Sequence, residues 1–254
     1  LVGETNATLT ITDANTTLHD GNYTVVVSND FGSMETNDLE IKVNETLMDG
    51  LVGWWKFDET NGTIAYDSSG NGNDGNLTNG PLWAMGKIEG ALSFDGINDV
   101  VVIGNVGDSL SEVSFSAWMQ RASNPANDWG AILVRANIYA WSINISNSRF
   151  HANYGDGNSW ATSSESNENL TFNQWHHLSA TRQNGAVKVF VNGSISVLGT
   201  NTLTGNNNLP LCIGASNTSA QTFMYHFKGL IDDVRIYDRA LSAEEIQALY
   251  QLGQ

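Results

Sequence analysis

The sequence predicts an all-β fold, two antiparallel sheets stacked face to face with one short helix at the C-terminus. Three observations carry that prediction. Short apolar runs recur along the chain, each bounded by Gly, Asn, Asp or Ser, the pattern of strands joined by turns. Glycine is abundant, with 25 residues against three prolines, so the turns are built on Gly and Asn. Only 15% of the residues are charged and 41% are hydrophobic, enough to fill a sandwich core without long polar helices.

Residues 1–44 read as a first, incomplete unit. Ala7-Thr-Leu-Thr-Ile-Thr alternates polar and apolar side chains as a strand does, and two further strands are expected at 23–28 and 39–43. Asp20-Gly-Asn-Tyr23 precedes the second of these and resembles the tyrosine corner of immunoglobulin-like domains. Val25 stands where antibody domains carry a Cys, so the segment is similar to the C-terminal part of a disulfide-free bacterial Ig-like domain. Three strands cannot bury two inner faces, which makes a spacer role the expectation here. Residues 45–50 read as a linker, and 51–254 as the main domain.

In the main domain the clearest strands are expected at 90–95, 100–103, 115–119, 131–134, 139–145, 149–154, 175–181, 187–191, 211–214 and 230–237. Asn192-Gly193 between two apolar runs is a hairpin signal, because Asn-Gly suits the mirror-image two-residue turn. The helix is expected after Leu241. Ser242 is its N-cap, Glu245 completes a capping box, and Leu241 with Ile246 forms a hydrophobic staple.

Charge narrows the classes of partner. There are 27 acidic and 11 basic residues, for a net charge of −16, which repels nucleic acid and anionic lipid and attracts cations. No run approaches the ~18 apolar residues that span a bilayer, so membrane insertion is not expected. Cys212, the single cysteine, lies in a core-like run and reads as a small buried hydrophobe. No signal peptide is visible before Leu1, and the chain reads as a piece of a longer secreted or surface protein. Asn-X-Ser/Thr triplets occur from Asn6 to Asn217, mostly as a product of an Asn- and Thr-rich composition.

Several blocks stand in a recognisable order. They are Trp54-Trp-Lys-Phe-Asp-Glu59, Asp67-Ser-Ser-Gly-Asn-Gly-Asn-Asp-Gly75, Ala91-Leu-Ser-Phe-Asp-Gly96, Phe115-Ser-Ala-Trp118, Gln174-Trp-His-His-Leu178, Val189-Phe-Val-Asn-Gly193 and Gly229-Leu-Ile-Asp-Asp-Val-Arg-Ile-Tyr237. Together they resemble the laminin-G-like, concanavalin A-like jelly-roll family over about residues 51–252. The resemblance implies a jelly-roll sandwich with one concave sheet and an extracellular or cell-surface location. It also implies a binding role, for a polysaccharide or other glycan or for another surface protein. It does not fix function, since this fold hosts lectins, adhesins and hydrolases alike.

Two candidate sites follow. Asp67, Ser69 and Asn71 place oxygen-bearing side chains at alternate positions before Gly72, like the first half of a calcium loop. Thr78 stands where that pattern needs its bidentate Glu, so a Gly/Asn hairpin organised by Asp67 is the competing reading. The family resemblance implies a structural Ca²⁺ joining the first strand, through Asp58 or Glu59, to Asp233 on the last. Otherwise Asp233 pairs with Arg235 or Arg239. Five His and one Cys show no zinc-like spacing, and His176 and His177 point to opposite faces of one strand.

The second candidate is a sugar face. Arg149, His151 and Asn153 alternate on one strand and so share one sheet face, which suits a polar ligand groove or an ordinary solvated face. Arg135 is expected to join them from a neighbouring strand. Trp129 and Trp160, in loop-like sequence, are candidate stacking platforms, and Tyr139, Trp141 and Tyr154 are further aromatics without an assigned place. Trp118 and Trp175 lie in core blocks, where burial is expected. Jelly-roll glucanases set Glu-x-Asp-x-x-Glu on one strand, and no strand here carries it. A non-catalytic glycan-binding module is the leading expectation, with a protein-binding or structural adhesin segment as the alternative.

Overall fold

The computed structural model describes residues 21–23, 26–29, 32–35, 39–41, 47–106, 110, 112–123, 129–135, 141–155, 160–200, 209–217 and 222–254. In the strands at 21–41 (Ser33 apart), 141–143, 154–155 and 160–163 only the backbone is described. The chain divides into two compact units, Leu1–Asp49 and Gly50–Gln254.

In the first unit β1 (Gly21–Tyr23) pairs with β4 (Leu39–Ile41), and β2 (Val26–Asn29) forms a hairpin with β3 (Gly32–Glu35), both antiparallel. β1 and β2 both fall on the strand expected at 23–28, and residues 24–25 lie outside the described residues. The one expected at 7–12 lies outside the described residues.

The second unit opens with β5 (Leu51–Trp55), β6 (Ile64–Ala65), β7 (Gly75–Thr78), β8 (Leu82–Met85), β9 (Gly90–Asp95) and β10 (Val100–Ile103). It continues with β11 (Val113–Arg121), β12 (Trp129–Arg135), β13 (Trp141–Ser146), β14 (Arg149–Gly155), β15 (Trp160–Glu165) and β16 (Trp175–Gln183). β17 (Ala186–Val191), β18 (Ser194–Thr200), β19 (Leu211–Ile213), β20 (Ser216–Asn217), β21 (Phe223–Met224) and β22 (Lys228–Tyr237) complete the strands, and α1 (Ala243–Leu252) closes the unit. One sheet runs β15-β14-β13-β12-β19-β10-β7-β6. The other runs β18-β17-β16-β11-β22-β9-β8, with β5 also on β22. All described pairs are antiparallel, so the chain is an all-β jelly-roll sandwich with a single short helix in its second unit.

Alternation builds the core. On β11, Val113, Phe115, Ala117 and Met119 face inward and are buried. They join Leu133, Ile145, Phe150, Leu211 and Ile213 of the opposite sheet in one cluster. Fully burying each large apolar side chain contributes about 1.5–3 kcal/mol. The intervening residues of β11, Ser114, Ser116 and Trp118, point the other way and are buried too. The Leu241 N–H donates to Ser114 Oγ at 2.8 Å, His177 lies against Ser116, and the helix covers Trp118. Ser242 Oγ accepts from the Glu245 N–H at 3.2 Å while Glu245 Oε2 accepts from the Ser242 N–H at 2.7 Å, the reciprocal cap the sequence predicts. Tyr250 then stacks on Trp118, ring centroids 5.6 Å apart, and His177 lies 5.2 Å from the same indole. Gly253 has no side chain for a steric reason, since a Cβ there would sit 2.6 Å from Trp118 Cζ2. Trp118 is therefore buried as expected, but under the helix rather than between the sheets, and Trp175 is only partly buried.

Candidate functional site

The outer face of the sheet that contains β14 carries the polar row. Residues directly opposite in an antiparallel pair share a face. Asn144 lies opposite His151 and Ser146 opposite Arg149; Glu165 on β15 lies opposite His151, and Trp129 on β12 lies opposite Ser146. The contacts agree with the register. The Trp129 and His151 rings are 5.0 Å apart, and Arg149 Nη1 meets Glu165 Oε1 at 2.9 Å.

This row is neither an open groove nor a solvated face. Asn144, His151 and Asn153 are only 5%, 6% and 3% exposed, whereas the Arg149 and Glu165 side chains are 41% and 42% exposed. Solvent meets a rim made of Trp129, Arg149 and Glu165. His151 lies within 3.3 Å of the Ser146 carbonyl oxygen, and burial holds its pKa below the usual imidazole range, so it is neutral at pH 7.

Tyr225, which the sequence did not single out, belongs to this rim. It follows β21 with φ 55°, a left-handed conformation uncommon outside Gly, Asn and Asp. Its carbonyl accepts from the Ala131 N–H at 2.8 Å, and its ring centroid lies 6.4 Å from that of Trp129. The only signal for it is long-range, through a two-residue hairpin strand that periodicity cannot reveal.

Arg135 does not join the row. It alternates with Val134, which pairs with Cys212 on the outer face, so Arg135 takes the inward side together with Leu133. It is fully buried and donates to the Val106 carbonyl at 3.2 Å and to Asn105 Oδ1. Trp129 and Trp160 open strands β12 and β15 rather than standing in loops. The side chains of Trp141, Tyr154 and Trp160, and all of Tyr139, lie outside the described residues.

The cation candidates rearrange as well. Asp67 is occupied by its own turn. Its Oδ1 accepts from the Trp54 and Ser69 amides at 2.9 Å each, and its Oδ2 accepts from Asn73 N at 2.9 Å and Ser69 Oγ at 2.8 Å. Asn71 Nδ2 donates to the Leu51 and Val52 carbonyls at 2.9 and 3.1 Å. This is the hairpin reading, with Asp67 stapling the turn to β5. Asp233 Oδ1 accepts from Trp54 Nε1 at 2.6 Å and pairs with Arg235 at 3.0 Å. The pairing of β22 with β11 shifts between Ser116 and Trp118, and Asp233 sits in that bulge with φ 48°.

The bulge gives Asp232 the position expected of its neighbour. Asp232 is fully buried; its Oδ2 accepts from the Lys87 and Ile88 amides at 2.8 Å each, and its Oδ1 has no hydrogen-bond partner among the described residues. Burial, aided by the charges of Asp233 and Asp58, pushes its carboxyl up to about 7. Asp58 lies on the other side of the same 86–90 turn, accepting from the Gly90 N–H at 2.9 Å, and its pKa is likewise raised, chiefly by burial. Phe57 and Glu89 beside it take φ of 60° and 56°. Among the described residues no three His, Cys, Asp or Glu side chains gather. Asp58 and Asp232 are the carboxylates this turn offers a hard, oxygen-seeking cation, and Asp233 keeps one buried oxygen, Oδ2, without a hydrogen-bond partner among the described residues; Asp67 and Asn71 are already engaged by the turn.

Comparison with known proteins agrees with the jelly-roll fold. A family model described as the concanavalin A-like lectin/glucanases superfamily matches residues 94–247. Domain 4 of AbnA, an extracellular arabinanase from Geobacillus stearothermophilus solved with arabinotriose, is similar at 25% identity and TM-score 0.63, covering 80% of this chain and 98% of that one. The binding domain of Paraclostridial Mosquitocidal Protein 1 is similar at 16% identity and TM-score 0.64. The botulinum neurotoxin serotype D ligand-binding domain, solved with N-acetylneuraminic acid, is similar at 17% identity and TM-score 0.62. This chain spans about half the length of each of these two toxin domains, 52%. No curated protein matches the sequence.

Proposed function

The chain belongs to the concanavalin A-like lectin/glucanase superfamily, and from that premise we propose that it is a non-catalytic glycan-binding module of an extracellular protein. The observation that carries the reading is Trp129, a partly exposed indole braced by His151 and Tyr225 at the rim of a polar sheet face. A partly exposed aromatic ring held in place at a sheet rim is the apolar platform a sugar ring needs, and the exposed Arg149 and Glu165 beside it offer donors and acceptors for its hydroxyls. The arabinotriose bound by the arabinanase domain supports the same class of ligand. Glycoside hydrolysis uses two carboxylates about 5–9.5 Å apart. Among the described residues of this face there is one, Glu165, and it is tied to Arg149. Native gels cast with a polysaccharide panel test the reading. Retardation by a polymer, lost in Trp129→Ala, is expected; a retarded Trp129→Ala variant would move the site elsewhere.

A structural Ca²⁺ between Asp58 and Asp232 accompanies this proposal. The cation would supply the partner for Asp232 Oδ1 and fasten the first-strand segment to the last strand; no part of glycan contact runs through it. Added calcium should raise the melting temperature and EDTA reverse it, with Asp232→Asn abolishing the response. A melt indifferent to both would remove the metal.

One observation favours a protein partner. Leu82 and Met85, on edge strand β8, are 68% and 87% exposed. Exposed apolar residues on a sheet edge are a place for another chain to add.

A further inference from the structure

The last strand of the second sheet has the features of an edge that another chain extends. β8 ends the order β18-β17-β16-β11-β22-β9-β8, and Leu82-Trp-Ala-Met85 carries neither the charge nor the proline that usually blunts such an edge. The Gly86 N–H donates to the Glu89 carbonyl at 2.9 Å, which fixes the phase of the ladder. The backbone groups of Leu82 and Ala84 therefore face β9, and those of Trp83 and Met85 point outward. A cleft of about 520 Å³ opens beside this edge, between β8 and residues 58–60. Trp83 and Met85 share the sheet face that borders it, opposite Leu92 and Gly90. Trp83 Nε1 donates to the Gly62 carbonyl at 3.1 Å, which holds the indole as one wall, and Met85, 87% exposed, stands at the mouth.

Charge selects the occupant. Asp58, Glu59 and Glu89 line the cleft, and no described Lys, Arg or His does. Lys56 and Lys87, their neighbours in sequence, lie over the Trp54 and Trp118 rings at 4.3 and 5.3 Å. Glu89 is exposed and is the carboxylate a ligand reaches. Asp58 and Glu59 accept from the Gly90 and Tyr66 amides at 2.9 and 2.8 Å and act through their charge. Where Asp58 holds the calcium proposed above, Glu59 and Glu89 still leave the cleft acidic. The three do not converge as ligands of one metal ion would. Spread along a cleft with an indole and a thioether, they suit an organic cation with an apolar stem, as Arg and Lys side chains are.

We propose that β8 docks an extended, basic segment of a different protein, which adds to the sheet as a strand and sends an Arg or Lys side chain into the cleft towards Glu89. The proposal rests on the protein-partner reading of β8 given above. A second copy of this chain is disfavoured, because two acidic edges would meet in chains of net charge −16. Fluorescence anisotropy of labelled peptides tests it, with the full 254-residue chain in calcium buffer at low ionic strength. The probe is a peptide of about ten residues, a strand's length, alternating Thr and Val around one central Arg. Saturable binding is expected, weakened about tenfold when citrulline replaces the Arg and lost when the edge-facing amides are N-methylated. Glu89→Gln should weaken it about two- to fivefold, whereas Glu244→Gln, the same charge change at an exposed position on α1, should leave it unchanged. Equal binding of the citrulline and Arg peptides, or equal losses in the two Glu variants, overturns the cleft assignment; if N-methylation still abolishes binding, the protein-partner reading of β8 stands. Binding of no peptide overturns both. A concentration-dependent dimer in sedimentation, abolished by Met85→Lys, would give the edge to a second copy and overturn the proposal as well.

Discussion

The two sheets carry the same aromatic group on their outer faces and put it to different use. On one, Trp118 and His177 lie 5.2 Å apart and Tyr250 stacks on the indole at 5.6 Å. On the other, Trp129 and His151 lie 5.0 Å apart and Tyr225 stands 6.4 Å away. The ring tilts match as well, 55° and 51° between Trp and His. The difference is the cover. Trp118 is 1% exposed beneath α1, whereas Trp129 keeps an accessible edge because its Tyr comes from a short hairpin rather than a helix. Residue type therefore does not decide which cluster is accessible; the covering element does.

Substitution of the two Trp residues is the strongest way to break the comparison. Trp118→Ala empties a sealed site between sheet and helix and should cost about 3–5 kcal/mol. Trp129→Ala removes a partly exposed ring and should cost well under half of that, while abolishing polysaccharide retention. Urea denaturation of the two variants beside native-gel retardation separates them. Similar stability losses in both would mean that Trp129 is a core residue and the glycan site lies elsewhere.

The two His residues sharpen it next. His177 is fully buried, Ser116 Oγ lies 2.8 Å from its Nε2, and burial pushes its pKa down to about 3. Its folded pKa is below the unfolded value near 6.5, so the unfolded chain binds the proton more tightly between those limits. Stability should fall as pH drops from about 6.5 towards 3, by up to about 1.4 kcal/mol per pH unit from this group. His177→Gln should flatten that part of the slope relative to wild type. An unchanged slope would show that water reaches the imidazole under α1. His151 is shifted in the same direction, with burial again the leading cause, so its variant should show a like but smaller change.

Much of this was legible in the sequence, and the losses have specific causes. The capped helix is local, and Ser242, Glu245 and the buried Leu241 and Ile246 behave as their spacing predicts. The row Arg149, His151, Asn153 follows from strand period alone. Period cannot say which face a neighbour presents once a bulge intervenes. The pairing of β12 with β13 shifts between Ala131 and Leu133, which puts Arg135 on the inward side. The bulge in β22 likewise lets both Asp232 and Asp233 bury one oxygen without a hydrogen-bond partner, and brings Asp232 rather than Asp233 onto the 86–90 turn beside Asp58. Strands β15 and β18 escaped because Trp160-Ala-Thr-Ser-Ser-Glu165 and Ser194-Ile-Ser-Val-Leu-Gly-Thr200 lack a clear apolar alternation. Tyr225 needed a contact with Trp129 across nearly a hundred residues of chain.

The smallest effect probes the covers themselves. Ser242→Ala removes the cap of α1 and should cost about 1 kcal/mol, because the Glu245 amide loses its acceptor and the reciprocal bond loses its geometry. Arg149→Gln breaks the exposed pair on the other face and should cost only about 0.2–1 kcal/mol. The decisive reading is the combination with Trp118→Ala. If α1 matters mainly as the lid on Trp118, Ser242→Ala and Trp118→Ala share one interaction and their double variant should lose less than the sum of the singles. Arg149→Gln, on the opposite sheet, should add fully. Additivity in both pairs would mean that the helix is held by its own cap and by Ile246 and Leu249, and that Trp118 is buried without depending on it.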